Sequence, residues 1–318
     1  MIAGGNKDSE RESKESIYSN WLKPRFDNLK LDEIVADGHV ADFKATLSEA
    51  IEAGTIGPKR ANNILCALNT ALKYAADQQI IDAVPNIGLF TVEDPEIVWW
   101  DFDEYRRIVL ASVEEGPCWH IAVCLAGEAG LRVGEIRALV WERDVDLIGR
   151  TITVNRQVRK GREGTPKGGK RRTIPMTSTL LAALKSLAVV RRGFVVRNDD
   201  GSWLRDGQTT HGIYRVCRRA KLPERAWHVL RHSMGTHAAM FGVNPWRLMA
   251  WMGHKSVSTT MKYVHVADSH MRPLPGEVLA KQEELDPDRR IIAMLGARAC
   301  VAGNHVATPN LSAKGLGV

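Results

Sequence analysis

Four short segments carry side chains that could do chemistry, and each presents cations or a nucleophile. In GHKSVSTTMKYVH, Tyr263 follows His254 by nine residues, so a phenolic hydroxyl and an imidazole share one segment. In EAGLRVGE, Arg132 follows the Gly130 turn at a predicted helix start, and Glu135 comes one turn later. A guanidinium there suits a bidentate pair with a phosphate beside free helix N–H groups. Taken alone, such an arginine is usually a surface residue. The glutamate could orient a neighbouring side chain, or it could simply interact favourably with the helix dipole.

The third segment, WHVLRH, places His228 and Arg231 three residues apart. At that spacing they are neighbours on one helical face, where together they suit a single anionic group. By itself this pattern recurs by chance. Metal ligation fits poorly, because the histidines of this region have no carboxylate at HExxH spacing and arginines crowd them. We therefore expect no zinc or magnesium site.

The fourth segment is a polar turn with eight Lys or Arg residues between positions 155 and 173 against one acid, Glu163. Such a run is normally a solvated hairpin, but its density also suits a lysine that reaches into a DNA groove. Lys167 is the lysine we single out, with Lys170 as its rival. The DNA-binding candidates of this segment are Arg156, Lys170, Arg171 and Arg172.

The composition describes a globular protein with an affinity for polyanions. The chain has 318 residues, 44% of them apolar, and a formal net charge of +7, which suits nucleic acid or an anionic membrane surface. No apolar run approaches the roughly 20 residues that span a bilayer, and the polar start lacks a secretory signal, so we expect a cytoplasmic protein. Five scattered cysteines without CxxC spacing argue against disulfides.

The elements that must position these residues fall into two regions. Residues 13–83 have a helical pattern, clearest in GPKRANNILCALNTALKYAADQQI, whose polar face carries Lys59 and Arg60. This face either touches phosphate or is simply solvated, and the segment alone favours solvation. VPNIGLFTVEDPEIV breaks the periodicity and indicates a linker. A second helical region is predicted to begin near Asp101, which is its expected N-cap. The segments RTITVNRQV and RRTIPM are predicted strands on either side of the basic turn.

In chain order the segments give R, K, HxxR, H and Y, and the chain resembles the tyrosine recombinases of the phage integrase family. The likeness is carried by GLRVGE, TPKGGKRRTIP, HVLRH and MGHKSVSTTMKYVH, and runs from about residue 13 to residue 265. It implies a mainly α fold with a small antiparallel β-sheet in the catalytic domain (α+β), preceded by a helical SAM-like core-binding domain. The expected boundaries are 1–84 for the DNA-binding domain, with an abbreviated first helix, 85–97 for a linker, 98–270 for the catalytic domain, and 271–318 for a tail with a protomer-docking helix after Asp286.

The resemblance also implies a mechanism without metal, ATP or any other cofactor. Tyr263 would attack the scissile phosphate to give a 3′-phosphotyrosyl enzyme and a free 5′-hydroxyl. Arg132 and Arg231 would clamp the non-bridging oxygens, and Lys167 would protonate the leaving oxygen.

Three further roles follow from the same resemblance. His228 would assist in moving the tyrosine proton, His254 would donate to the phosphate, and Glu135 would support the pocket from behind. The implied partners are double-stranded DNA at attachment or core sites and a homo-tetramer on synapsed DNA, with no membrane. The expected function is integration or excision of a mobile element.

Two other functions stay open. A type IB topoisomerase uses a similar tyrosine pocket but relaxes supercoils as a monomer, although the HxLRH and GHxSxxTTxxYxH wording favours the recombinase. A catalytically silent DNA-binding accessory protein is the other alternative, and the filled catalytic positions argue against it.

Overall fold

A computed structural model describes residues 8–36, 38–166, 171–187 and 191–269. Lys167, Lys170 and the helix expected after Asp286 therefore lie outside the described residues. The chain divides into two compact units, Met1–Pro95 and Glu96–Val318. No helix in the described part of the chain is both long and apolar enough to cross a bilayer.

The first unit is helical, as expected. Its longest helix is amphipathic, and the apolar positions of that helix (Ile64, Leu65, Leu68, Leu72 and Ala75) form the buried core with side chains of the other helices. Pro58 occupies the first turn of this helix, where its missing N–H costs no hydrogen bond. The elements of this unit are α1 (Asp8–Ile17), a π-helical turn (Tyr18–Leu22), α2 (Lys23–Phe26), α3 (Leu31–Ala36), α4 (His39–Glu52) and α5 (Pro58–Asp77).

The segment expected to be a linker over 85–97 is partly anchored. The Phe90 N–H donates to Asn62 Oδ1 at 2.8 Å, and Asn62 Nδ2 donates to the Phe90 carbonyl at 2.9 Å. Ile87 and Phe90 also pack against the core of the first unit, whereas Ile97 packs against the core of the second. The side-chain amide of Asn62 supplies both partners that an extended backbone residue needs. The unanchored stretch is therefore shorter than the sequence indicates.

The second unit combines helices with two small antiparallel sheets. Its helices are α6 (Phe102–Glu114), α7 (Pro117–Gly127), α8 (Val133–Ala138), α9 (Trp141–Asp144), α10 (Ser178–Ser186), α11 (Asp206–Arg219), α12 (Trp227–Met240), α13 (Pro245–Met252) and α14 (Val257–Ser269). Asp101 caps α6 as predicted: its side chain accepts from the Glu104 N–H at 2.8 Å, and the Glu104 carboxylate accepts from the Asp101 N–H at 3.0 Å. The core of the unit is built on α7 and α12, both buried over most of their length.

The strands differ from the expected pair. They are β1 (Val145–Asp146), β2 (Thr151–Val154), β3 (Gln157–Arg159), β4 (Arg162–Gly164) and β5 (Arg172–Pro175). One sheet has the order β1-β2-β5, and β3 pairs with β4 separately. The predicted strand RTITVNRQV is thus two strands, because Lys160 and Gly161, with φ of 49° and 71°, close a tight hairpin on β3.

Candidate active site

Two glycine-capped helix ends deliver the first residues of the site. After α7, Gly130 adopts a left-handed conformation (φ 64°) and the Leu131 N–H donates back to the Leu125 carbonyl at 3.1 Å. After α13, Gly253 does the same (φ 63°), and the His254 N–H donates to the Met249 carbonyl at 3.1 Å. Such caps end a helix and turn the chain sharply. Arg132 and His254 follow these turns directly.

Glu135 is the acidic centre of the site. Its side chain has no exposed surface and accepts from both Arg172 terminal nitrogens, at 3.0 and 2.6 Å, and from Arg132 Nη1 at 3.1 Å. It also accepts from the Arg132 backbone N–H at 2.9 Å. Burial raises the pKa of the Glu135 carboxyl, but the hydrogen bonds and charge of Arg172, together with Arg132, outweigh burial and hold the pKa below its usual value. The carboxylate is therefore ionised and fixes two guanidiniums.

Arg231 ties both glycine-capped turns to α12. Its side chain is buried and donates through Nη1 to the Gly130 carbonyl and through Nη2 to the Met252 carbonyl at 2.5 Å. Burial, and then the charge of Arg132, lower the pKa of Arg231 to about 9, so the guanidinium stays charged at neutral pH. One cation thus sets the spacing between the two turns and adds to the positive potential of the site.

Tyr263 is packed on three sides and is only 4% exposed. Its hydroxyl oxygen lies 2.9 Å from His232 Nδ1, and the His254 ring stacks on its ring with centroids 5.9 Å apart and planes inclined by 12°. His254 is itself held by a 2.8 Å contact between its Nδ1 and Thr260 Oγ1. On α12, a Cβ added at Gly235 would lie 2.9 Å from the Tyr263 ring, so the aromatic ring occupies the space a side chain there would need.

Tyr263 and the two imidazoles beside it, those of His232 and His254, are neutral at pH 7. Burial raises the pKa of Tyr263, and the charges of Arg231 and Arg132 offset this only in part. Burial, with the neighbouring positive charges, lowers the pKa of His232 to about 4 and that of His254 to about 3. A protonated tyrosine and two neutral imidazoles therefore face fixed guanidiniums, an arrangement suited to a nucleophile that meets an anion.

The structure brings together most of the predicted catalytic residues: Arg132, Glu135, Arg231, His254 and Tyr263. His228 lies on α12 one turn before His232 and is exposed, and the imidazole at the Tyr263 hydroxyl belongs to His232. Sequence reasoning missed His232, although the last letter of HVLRH placed a second histidine four residues after the first, on the same helical face.

The predicted DNA-binding residues differ in their surroundings. Arg172 departs from the expectation of a surface phosphate contact: its side chain is 8% exposed, it binds Glu135, and its Nε donates to the Trp251 carbonyl at 2.8 Å. The buried carboxylate of Glu135 requires such a partner. Arg156 is exposed and contacts Glu163 at 2.5 Å. Arg171 and Lys59 are exposed, and Arg60 is half-buried on the first turn of α5. Their contact with DNA remains a prediction.

Comparison with known proteins points to one family. The sequence model of the phage integrase family matches residues 99–270. The chain is 30% identical over 189 residues to the tyrosine recombinase XerD of Caulobacter vibrioides, a match covering 53% of this chain and 57% of that protein. It is 31% identical over 160 residues to the tyrosine recombinase XerC of Chlorobaculum parvum, covering 46% of this chain and 44% of that protein. The chain thus spans about half the length of these curated relatives.

Among solved structures, the fold is similar to that of the Tn1549 transposon integrase in complex with a circular intermediate DNA. The TM-score is 0.68 at 19% identity, and the alignment covers 89% of this chain and 96% of that one. At this identity the likeness concerns the fold. It extends over both units of the chain, so the helical first unit belongs to the shared architecture.

Proposed function

We propose, on the premise that this chain belongs to the phage integrase family, that it is a site-specific DNA recombinase acting through a 3′-phosphotyrosyl intermediate. The observation that carries the proposal is the environment of Tyr263. Tyr263 is a protonated phenol. Burial raises its pKa, and the charges of two nearby guanidiniums, those of Arg231 and Arg132, act in the opposite direction. A tyrosine kept only for packing does not need a positively charged surrounding of this kind.

The charge balance of the site supports phosphoryl transfer. Arg132, Arg172 and Arg231 surround the single carboxylate of Glu135, so this cluster has an excess of positive charge before any ligand binds. A phosphodiester repels nucleophiles, and fixed hydrogen-bond donors around its oxygens lower the barrier by stabilising the charge that develops. Arg132, 20% exposed at its side chain, is the guanidinium best placed to meet the non-bridging oxygens from solvent. Arg231 is buried and contributes positive charge from inside the unit.

The remaining proton transfers fall to residues near this cluster. Attack by Tyr263 forms the bond between its oxygen and phosphorus and breaks the bond from phosphorus to the 5′-oxygen. Tyr263 loses its phenol proton in this step, and we assign the movement of that proton toward solvent to His228. The departing 5′-oxygen in turn needs a proton. We assign that donation to Lys167, which follows the β3–β4 hairpin in the chain. Neutral His254 retains one ring N–H, and when Nδ1 accepts from Thr260 that hydrogen is on Nε2, free to donate to the phosphate.

At the level of the whole reaction, we propose that two such exchanges across a synapsed homo-tetramer recombine duplex DNA of a mobile element in the cytoplasm. Support comes from the family match and from the shared fold of a transposon integrase. Lys59 and Arg60 in the first unit, and Arg156 and Arg171 in the second, would contact phosphates. DNA affinity should then fall steeply with salt, because each neutralised phosphate releases counterions.

A plasmid assay separates this function from the alternatives. Supercoiled plasmids carrying two, one or no copies of a candidate element end are incubated with the protein. Recombination is expected with two sites only, as resolved circles. Relaxation of the plasmid without a site would instead favour a topoisomerase. Salt-sensitive binding without any change in plasmid topology, on every candidate end, would favour an accessory DNA-binding protein.

A further inference from the structure

We propose that His232 is a positioning residue for the nucleophile: its Nδ1 accepts a hydrogen bond from the Tyr263 hydroxyl and thereby sets the direction of the oxygen lone pairs. This inference rests on the proposed function, since it assigns a role around the attacking atom. The role differs from that expected of His228, which concerned movement of the tyrosine proton.

The geometry leaves the hydroxyl as the one adjustable part of Tyr263. Its ring is confined by the stacked His254 ring and by the backbone of Gly235. The hydroxyl hydrogen can still rotate about the bond between the ring carbon and the oxygen. His232 Nδ1, 2.9 Å from that oxygen with its ring inclined by 42° to the tyrosine ring, provides a partner for this rotation.

The chemistry of the neighbouring groups indicates that His232 accepts the hydrogen of the Tyr263 hydroxyl. Arg132 and Arg231, whose charges act on Tyr263, have donors only and offer the hydroxyl hydrogen no lone pair. His254 commits its Nδ1 to Thr260. His232 is neutral, because burial and the charges of His228 and Arg231 disfavour its protonated form, so one of its ring nitrogens carries a lone pair. With the tyrosine protonated, its hydrogen points to Nδ1, and the ring hydrogen of His232 is on Nε2.

This assignment has a consequence for attack. With the hydrogen directed at His232, the lone pairs of the Tyr263 oxygen point away from α12. An oxygen held in this way is already oriented before DNA binds, and orientation of this kind commonly decides reaction rates by large factors. Removal of the acceptor leaves the hydroxyl free to rotate and to spend part of its time with a hydrogen where the lone pair should be.

Matched variants test the role directly. An Asn side chain places its amide oxygen near the position of Nδ1, whereas a Gln side chain places its polar group near the position of Nε2. We expect single-turnover cleavage of a nicked suicide substrate by His232→Asn to stay within a few-fold of wild type. For His232→Gln and His232→Leu we expect about 100-fold slower cleavage with DNA affinity unchanged.

The controls separate the two proposals. If wild type and Tyr263→Phe both fail to form a covalent complex, the proposed function fails. If wild type cleaves and His232→Gln cleaves equally fast, the function stands and the positioning role is overturned. Equal losses in the Asn and Gln variants would also overturn the hydrogen-bond role, since a merely space-filling histidine gives that result.

A spectroscopic measurement covers the case in which the variants do not fold. The assigned imidazole ¹⁵N signals of His232 are compared between wild type and Tyr263→Phe, which removes only the hydroxyl oxygen. Loss of the hydrogen bond should move the signal of the unprotonated Nδ1 and leave Nε2 protonated in both proteins. An unchanged Nδ1 signal, or a hydrogen on Nδ1 in wild type, would contradict the proposal.

Discussion

The Glu135 carboxylate accepts hydrogen bonds from both terminal nitrogens of Arg172, at 3.0 and 2.6 Å. The side chain of Glu135 has no exposed surface. The same carboxylate holds Arg132 by its side chain and its backbone. Arg172 therefore acts on the pocket through Glu135: it neutralises the carboxylate and fixes the position from which Arg132 is held. The basic segment therefore contains two kinds of arginine: Arg172 is internal, whereas Arg156 and Arg171 lie at the surface.

Replacement of Arg172 should damage the pocket and not merely weaken DNA binding. Arg172→Ala leaves the buried Glu135 carboxylate without its main partner, and we expect a loss of about 3–5 kcal/mol in the free energy of unfolding together with slower cleavage. Chemical denaturation measures the first effect, and single-turnover cleavage the second. The matched control is Arg171→Ala, the exposed neighbour, which should leave stability unchanged and reduce the salt dependence of DNA binding. Equal stability of the two variants would contradict the assignment.

A double-mutant cycle on Arg172 and Glu135 tests whether the pair acts as a unit. Because each single change strands a buried charge or its partner, Glu135→Gln combined with Arg172→Gln should cost less than the sum of the single changes. We expect denaturation of the four proteins of the cycle, which are wild type, the two single variants and the double variant, to give a favourable coupling of about 1–3 kcal/mol. Additive losses would mean that the two side chains stabilise the unit independently.

Gly235→Ala should displace the nucleophile. The added Cβ would lie 2.9 Å from the Tyr263 ring, so the ring must shift. A shift of the nucleophile by about 1 Å can slow the reaction about 100-fold. Gly207→Ala is the control: this glycine is also helical, in α11, and an added Cβ meets nothing within 4 Å. There we expect unchanged cleavage and a slight gain in stability. Wild-type cleavage by Gly235→Ala would show that the packing around Tyr263 yields easily.

His237 should make the protein sensitive to mild acid. The residue is buried in α12 and stacks on Phe102 with ring centroids 4.2 Å apart. Burial lowers the pKa of His237 to about 3, so the unfolded chain takes up a proton that the folded one refuses. The stabilising contribution is complete above pH 6.5 and is lost as the pH falls, by about 2 kcal/mol at pH 5.

The measurement for His237 is a comparison of Tm values against pH. His237→Leu removes the titrating group, and its Tm relative to wild type should rise steadily between pH 7.5 and pH 5. The comparison isolates this residue from His232 and His254, which have lowered pKa values of their own. A difference in Tm that does not change with pH would contradict the prediction.

Glu128 should have the opposite pH dependence. It is buried beside Tyr105 and Thr177, whose hydroxyl groups donate to it, and burial raises the pKa of its carboxyl well above the usual value. Because the folded state retains the proton, the contribution of Glu128 is complete below pH 4.5 and is lost as the pH rises. The Tm of Glu128→Gln relative to wild type should therefore increase from pH 5 to pH 8. A constant difference would mean that the buried carboxyl is ionised.

Much of the framework was open to prediction because it depends on local signals. The 3.6-residue period of α5 identified its buried face, and Asp101 marked the start of α6 through its capping chemistry. The family motifs singled out Arg132, Arg231, His254 and Tyr263 as candidates, and the structure brings these side chains together, while their catalytic roles remain predictions. These features need only a few consecutive residues to be recognised.

The remainder depends on contacts between distant segments. Strand alternation places Arg172 on the same face as the buried Ile174, a signal that the arginine points inward, but the basic run around it concealed this. Helical spacing groups His228 and His232 without deciding which one meets α14. Asn62, 28 residues before Phe90, anchors the supposed linker through a pairing that no local pattern shows.

The most direct test of the central claim is detection of the covalent intermediate. Wild type and Tyr263→Phe are incubated in EDTA with nicked duplex libraries of candidate element ends, and any protein–DNA adduct is digested and sequenced by mass spectrometry. We predict an adduct in wild type alone, with a nucleotide 3′-phosphate on the peptide that contains Tyr263. An adduct on another residue, or one that persists in Tyr263→Phe, would contradict the account.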